Sequence, residues 1–438
     1  MNIPIRIRCE WQNPEDIAYE FIKEWGESGF IWLDGDGSKL SRWITLAHQP
    51  IDYVCCRGLA THKKSSNPFS VLRNLNPGHW TGWLSYEAGT WIEPLNPWRQ
   101  DSVATLWIAS HDPILKFDLD KHELWIESSK IESCKEMADW LETIRIKKIH
   151  KENKAINISQ DYWEWSDNKN TFSQKVNILK NLIKSGDIFQ ANLSTCLTTS
   201  IPKEINALNI FLRLRHHSPA PFAGLIIGSG EAEGEAIISS SPERFLKILP
   251  DGNIETRPIK GTRPRSLNPI TDSDLAVELI CSEKDRAENI MIVDLLRNDL
   301  GKVCQPGSIK TPILVGLESY KRVHHLTSVI KGKLFKNKSW VDALEACWPG
   351  GSISGAPKIR ACKRLFELEK VPRGPYCGSL INIGWDGTLD SNILIRSLIL
   401  KDSTLRVHAG CGIVADSDPI QESEELLWKL IPLLEALQ

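Results

Sequence analysis

The sequence predicts an α+β fold built on antiparallel sheets, and three observations carry that prediction. Segments rich in β-branched and aromatic residues come in runs, with helical patterns between the runs. Asp386-Gly387 lies between two such segments, a hairpin signal that makes its flanking strands antiparallel. No G-x-G-x-x-G or G-x-x-x-x-G-K-[ST] turn is present, so nucleotide-binding folds with parallel sheets lose their usual support.

Residues 1–155 read mainly as strands and turns, through GFIWL, SRWITLAHQPIDYVCC, WTGWLSYEAG and VATLWIASHDPILKFDL. Asp34-Gly-Asp36-Gly-Ser38 resembles the start of a calcium loop. Thr45 stands at the twelfth position, where such a loop needs Glu, so a hairpin turn is expected. The polar stretch from about 147 to 170 predicts a boundary between an N-terminal β-rich unit, 1–155, and a second domain, 160–438. Phe172, Val176, Leu179, Leu182 and Ile183 share one helical face, and Gly186 can stop that helix. Strands are expected at 189–199, 222–228, 235–248 and 253–259. A long helix is expected at 272–300, opened by Thr271-x-x-Asp274. Helices at 340–347 and from Pro357 to Lys370 precede strands at 376–385, 390–400 and 405–410. A last helix starts near 419, with Pro432 placed to kink or shorten it.

Composition narrows the function. The formal net charge is −2 with no basic stripe, which argues against a nucleic-acid partner. No apolar run reaches the roughly 20 residues of a membrane helix, and the first dozen residues lack the apolar centre of a signal peptide. A cytoplasmic enzyme acting on small molecules is expected. The 11 cysteines are scattered without a C-x-x-C pair, so neither zinc site nor disulfide framework is expected.

Several residues could carry chemistry. Asp285 and Glu288 are three apart on one expected helix. Glu422 and Glu425 are three apart on another, with Lys429 four further on. Facing each other, the acidic pairs would suit Mg²⁺; apart, they would be solvated helix faces. Arg396 sits in NILIRSLIL and needs a partner if buried, either a protein carboxylate or a ligand carboxylate. In PGGSISGAPK, Ser354 can cap a helix whose first turn holds Pro357, and free N–H groups there attract anions. Ala409-Gly-Cys-Gly412 is a second small-residue turn. Lys260 would be a nucleophile if desolvated beside Arg257 or Arg263, and Glu243 a general acid if its pKa were raised.

Taken together and in order, GDIFQANLS, SSSPERFL, TRPIKGTRPR, KDRAENIMIVDLLRNDLGKV, VHHL, PGGSISGAPKIRA, RGPYCGSLINIGWDGTLDSNILIRSL and AGCGIVADSDP followed by ESEELLWK resemble the chorismate-utilising enzymes, from about residue 171 to 430. That family comprises anthranilate synthase large subunits, aminodeoxychorismate synthases, and isochorismate and salicylate synthases. The resemblance implies a sandwich of two antiparallel β-sheets with helices outside and the active site in a cleft. It implies that Glu288 and Glu425 bind Mg²⁺, with Asp285 and Glu422 acting through water. It places Tyr376, Arg396, Gly410 and Gly412 around a substrate carboxylate, Ser352 near the metal-bound end and His325 over the substrate ring. Lys429 lies near the carboxylates, and Thr262 joins the substrate-binding set.

Three positions choose a branch of the family. Gln190 replaces the lysine that activates water in isochorismate and salicylate synthases. Residue 260 is lysine, in the PIKGT context of aminodeoxychorismate synthases, where anthranilate synthases usually have alanine. Asn289 replaces a histidine usual in anthranilate synthases, and YCGS at 376–379 leans the same way. Cys411 departs from the small residue usual at its position. The implied reaction is chorismate plus ammonia giving 4-amino-4-deoxychorismate, with Glu243 as acid and Lys260 as covalent nucleophile, on the route to 4-aminobenzoate and folate. A Cys-His-Glu glutaminase triad in that order is absent, because the last histidine is His408, so a separate glutaminase subunit is implied. The alternative is anthranilate synthase component I, and a further one is a non-catalytic homologue. The N-terminal third matches more loosely. Relatives hold tryptophan there, and Ser41 and Arg42 would be candidates to help form such a pocket.

Overall fold

The computed structural model describes residues 3–145, 156–202, 204–320 and 323–438. Part of the expected boundary, 146–155, lies outside them. Among the described residues the strands form a twelve-stranded and a ten-stranded sheet, and every pairing within them is antiparallel. The first runs, in order, through Ile5–Cys9, Glu123–Ser128, Ile114–Asp118, Trp43–Ala47, Ile31–Leu33, Phe222–Ile227, Glu235–Ser241, Ser397–Lys401, Thr404–Ile413, Gln190–Ser200 and Gly355–Ala356, and its twelfth strand, Glu164–Trp165, pairs with Gln190–Ser200 off this path. The second starts at Ile259–Pro264 and Val323–Lys333 and ends at Leu106–Ser110 and Asp52–Cys56.

Alternation explains how the layers stack. Leu225, Ile238 and Leu398 face the core beneath the helices, while Ile226, Ile237 and Ile399 enter the core shared with the second sheet. Strands of the N-terminal third are integral to both sheets. Ile31–Leu33 pairs with Phe222–Ile227, and Trp80–Leu84 pairs with Ser379–Ile383. The Asp34–Ser38 turn does join two antiparallel strands. Arg42 is committed to Asp118 through Nε and Nη2, which locks the hairpin it follows.

Several expected elements are corrected. The N-terminal third also contains helices Pro14–Trp25, Pro68–Arg73 and Ile131–Arg145, and helix Ala207–His217 follows later. The single helix expected at 272–300 is two, Pro269–Cys281 and Glu283–Gly301. Asn268 caps the first instead of Thr271, and Ser282 breaks the pattern by capping the second through the Asp285 N–H. Ser354 does not cap the helix Lys358–Leu368; its hydroxyl donates to the Gly350 carbonyl. The helix Pro419–Glu435 runs on through Pro432.

The two most informative corrections concern strands. The run 235–248 is two strands in different sheets, Glu235–Ser241 and Arg244–Ile248, and so is 390–400, as Leu389–Asn392 and Ser397–Lys401. Pro242 lacks the N–H that a continuing ladder would need. Arg396 adopts φ +50°, which no strand tolerates. Glu243 and Arg396 therefore sit at the two corners where the chain crosses from one sheet to the other.

Candidate active site

The corners, the glycine-rich turn and two helix N-termini converge. Glu243 is 5% exposed, and burial pushes its carboxyl up to about 7, against the pull of the Ser352 hydroxyl, Lys260 and the Ile259 N–H. Lys260 reaches the same place because Gly261, at φ +78°, is the extra residue of a β-bulge opposite Val323–Lys333. A Cβ at Gly261 would come within 2.9 Å of Asp285 and Leu279, so only glycine fits. The Lys260 amine donates to the Ser352 carbonyl at 3.1 Å. The two arginines near Lys260 in sequence are committed to carboxylates: Arg257 pairs with Glu318, and Arg263 with Glu278 and Asp285. Lys260 itself adjoins carboxylates, lowering both Glu243 and Glu288.

Glu288 lies one turn into the helix Glu283–Gly301, 9% exposed, and receives no hydrogen bond from any described residue. Burial raises its pKa, opposed by Lys260 and Lys284. Across from it, Asp418 caps the last helix, which presents Glu422, Glu425 and Lys429 on one face. Glu425 pairs with Lys429 at 2.7 Å, and Glu422 with Lys284 at 3.0 Å. Burial pushes Glu425 up, yet Lys429 and Lys284 prevail and hold it below its ordinary value. Asp285 turns toward Arg263 at 3.4 Å. Lys284 is the member of this cluster that the sequence reading missed; a lysine opening an acidic helix carries no distinctive signal.

Gly410 and Gly412 are needed for space. A Cβ at Gly410 would stand 2.9 Å from the Tyr376 hydroxyl oxygen and 3.1 Å from Asn192 Nδ2. One at Gly412 would stand 2.8 Å from Gln190 Nε2, 3.4 Å from Glu288 Oε2 and 3.5 Å from Lys260 Nζ. Gln190 is fully buried with both amide atoms unpartnered among the described residues. Cys411 donates to the Glu422 carbonyl at 3.3 Å, and its sulfur lies within 4.8 Å of carboxylate oxygens of Glu422 and Glu425. Tyr376 stacks on His408, ring centroids 5.0 Å apart.

His325 is 1% exposed, bonded through Nδ1 to the Thr262 hydroxyl at 2.9 Å. Burial, then the nearby Arg396 charge, drives its pKa down to about 3, so it is neutral. The Arg396 guanidinium has no hydrogen-bond or ion-pair partner among the described residues, and burial lowers its pKa. Asn289 ties the Glu288 helix to the His325 strand by donating to the Leu326 carbonyl at 3.2 Å.

The site thus offers an unpaired guanidinium, an unpaired buried carboxylate, a protonatable carboxyl and an amine. A profile of the chorismate-binding enzymes matches residues 30–435. The chain belongs to the chorismate-binding enzyme family. An anthranilate synthase component 1 of Haloarcula marismortui is 35% identical over 99% of this chain and 92% of its own. A probable chloroplastic aminodeoxychorismate synthase of Oryza sativa subsp. japonica is 43% identical, over 60% of this chain but only 29% of that longer protein. Anthranilate synthase component I from Streptococcus pneumoniae TIGR4 superposes with a TM-score of 0.76 at 26% identity, covering 92% of this chain and 93% of that one. The two-sheet sandwich is the fold of that structure. Among the described residues of this chorismate-binding enzyme, no helix is long and apolar enough to cross a membrane.

Proposed function

We propose that this chain is the chorismate-aminating component of an aminodeoxychorismate synthase, making 4-amino-4-deoxychorismate from chorismate and ammonia. The observation that carries the reading is Lys260: a primary amine brought by a glycine bulge into the cleft beside Glu243 and Ser352.

Each residue then has a task. Arg396, otherwise unpartnered, takes a substrate carboxylate in a two-pronged hydrogen bond, with Tyr376 and the backbone near Gly410 and Gly412 closing the same end. Neutral His325 lies against the ring. The nitrogen lone pair of Lys260 forms an N–C2 bond while the C4–O bond breaks, and the hydroxyl leaves as water with the Glu243 proton. Ammonia then forms the C4–N bond, the C2–N electrons return to Lys260, and the proton shed by the added nitrogen returns to Glu243. The sum is chorismate plus ammonia giving aminodeoxychorismate plus water, with the enolpyruvyl group retained. The residues fit a magnesium ion: Glu288 is a buried carboxylate without a donor, and Glu425 and Glu422 supply further hard oxygens. When bound, the ion offsets the charge of the ring carboxylate.

Glutamine alone should not support turnover, because ammonia would come from a separate glutaminase subunit. Chorismate consumption by the purified chain should require ammonium and Mg²⁺, stop with EDTA and return with excess Mg²⁺. Turnover on glutamine without a partner, or undiminished in EDTA, would count against the reading.

Glu243 sets a pH dependence. Its folded pKa of about 7 lies above its ordinary 4.5, so the native state holds a proton the unfolded chain gives up. Its contribution to stability is complete below about 4.5 and is lost as pH rises through about 7. The acid form disappears over the same range, so kcat/KM should fall about tenfold per pH unit above it. A Glu243→Gln enzyme should be nearly inactive and lose that limb.

A second reading is anthranilate synthase component I, with elimination of pyruvate. The relatives that align over nearly the whole chain favour it, since they bear that name. The two readings share the carboxylate and metal groups and part at Lys260.

A further inference from the structure

Arg373 and Glu369 form a buried ion pair that the reaction described above does not use. They are 2% and 8% exposed. Arg373 grips Glu369 with both prongs, Nε to Oε2 at 2.9 Å and Nη2 to Oε1 at 2.7 Å. The same guanidinium donates to the Ile353 carbonyl at 2.8 Å and to the Asn192 carbonyl at 2.6 Å, and lies 4.8 Å from the Tyr86 ring centroid. Glu369 Oε1 also accepts from the N–H and the hydroxyl of Ser194, at 2.9 and 2.8 Å.

An ion pair at this depth is a poor device for stability, because desolvation of both charges offsets their attraction. Its bonds lead to the active site. Ile353 follows Ser352, whose carbonyl holds Lys260 and whose hydroxyl holds Glu243. Asn192 lies on the strand opposite Gly412, two residues from Gln190. The Arg373 carbonyl accepts the Tyr376 N–H at 3.1 Å, and the Arg373 and Gly374 N–H groups are fixed by Glu87 at 3.0 and 3.1 Å. One planar, five-donor group therefore ties the glycine-rich turn, the Gln190 strand and the Tyr376 loop together.

We infer that Arg373, oriented by Glu369, is a positioning residue that sets the Ser352 turn against Glu243 and Lys260. The inference rests on the acid and nucleophile roles proposed above, and not on which product is made. Arg373→Lys keeps the charge but cannot reach a carboxylate and two carbonyls at once. The comparison variant is Lys175→Gln, which breaks the buried Lys175–Asp167 pair, 2.6 Å long, on the helix side of the first sheet.

Following chorismate disappearance in excess ammonium makes the readout independent of product. Arg373→Lys should lower kcat by about ten- to a hundredfold, the scale of a displaced catalytic group, while Lys175→Gln stays within about twofold. The alkaline limb should move up by about half a pH unit in Arg373→Lys alone, because the Ser352 hydroxyl that holds Glu243 down is released. Amide exchange across 350–356 should quicken in Arg373→Lys and not in Lys175→Gln. Unchanged exchange, or a kcat that falls equally in both variants with the same pH profile, would overturn the inference. A wild-type chain inert on chorismate would sink the proposed function instead, and the exchange data would still decide whether Arg373 holds the turn.

Discussion

Replacing Lys260 by alanine should abolish aminodeoxychorismate formation, by at least about a thousandfold in kcat, with the fold retained. The bond to the Ser352 carbonyl is the only hydrogen bond lost by the amine among the described residues, so the thermal midpoint should drop little. Glu243 should titrate higher in the variant, because the Lys260 charge helps hold it down. Anthranilate synthase chemistry adds ammonia itself at C2 and has no use for a lysine nucleophile there. Under that reading Lys260→Ala consumes chorismate at the wild-type rate and yields anthranilate. Product assays on this single variant separate the two branches.

Arg396→Ala should be nearly as damaging, by a different route. Among the described residues the guanidinium has no partner to leave stranded, so its removal should not destabilise the fold. What is lost is the charge-assisted anchor for the substrate carboxylate. Truncating one side of such a pair costs about 2–5 kcal/mol, roughly thirty- to several-thousand-fold in kcat/KM. Arg396→Lys should recover part of this through charge and not the rest, which depends on the two-pronged geometry. A loss of thermal stability as large as the loss of activity would mark Arg396 as structural and leave the carboxylate without its anchor.

Local chemistry decided what could be read from the chain. Asp418-Pro419 announced its helix, with a capping side chain followed by a ring that needs no N–H partner. Asn13-Pro14 and Asn67-Pro68 carry the same signal and open helices that the strand-like composition around them concealed, and Asn268-Pro269 opens the expected helix three residues before 272. The corners at Glu243 and Arg396 were illegible for another reason. In the first run the corner falls within six polar or proline positions, 239–244, and in the second Arg396 lies between the apolar triplets 393–395 and 398–400, so neither shows a break in period that marks the switch. Only Pro242 hinted at one of them. The acidic pairs on two helices could be placed on faces by spacing, but their meeting required the sheets between them. The unpaired state of the Arg396 guanidinium among the described residues is purely a tertiary fact, and it supports the ligand-carboxylate reading over an ion pair within the protein. The Lys284–Glu422 and Arg373–Asn192 contacts join residues more than 130 apart in the chain, beyond any local pattern.

The central claim is that Lys260 directs nitrogen to C4 of chorismate. The most direct measurement is product analysis of the purified chain with chorismate, Mg²⁺ and excess ammonium near neutral pH, with and without an added aminodeoxychorismate lyase. The account predicts 4-aminobenzoate only when the lyase is present, and no anthranilate; anthranilate formed without the lyase would contradict it.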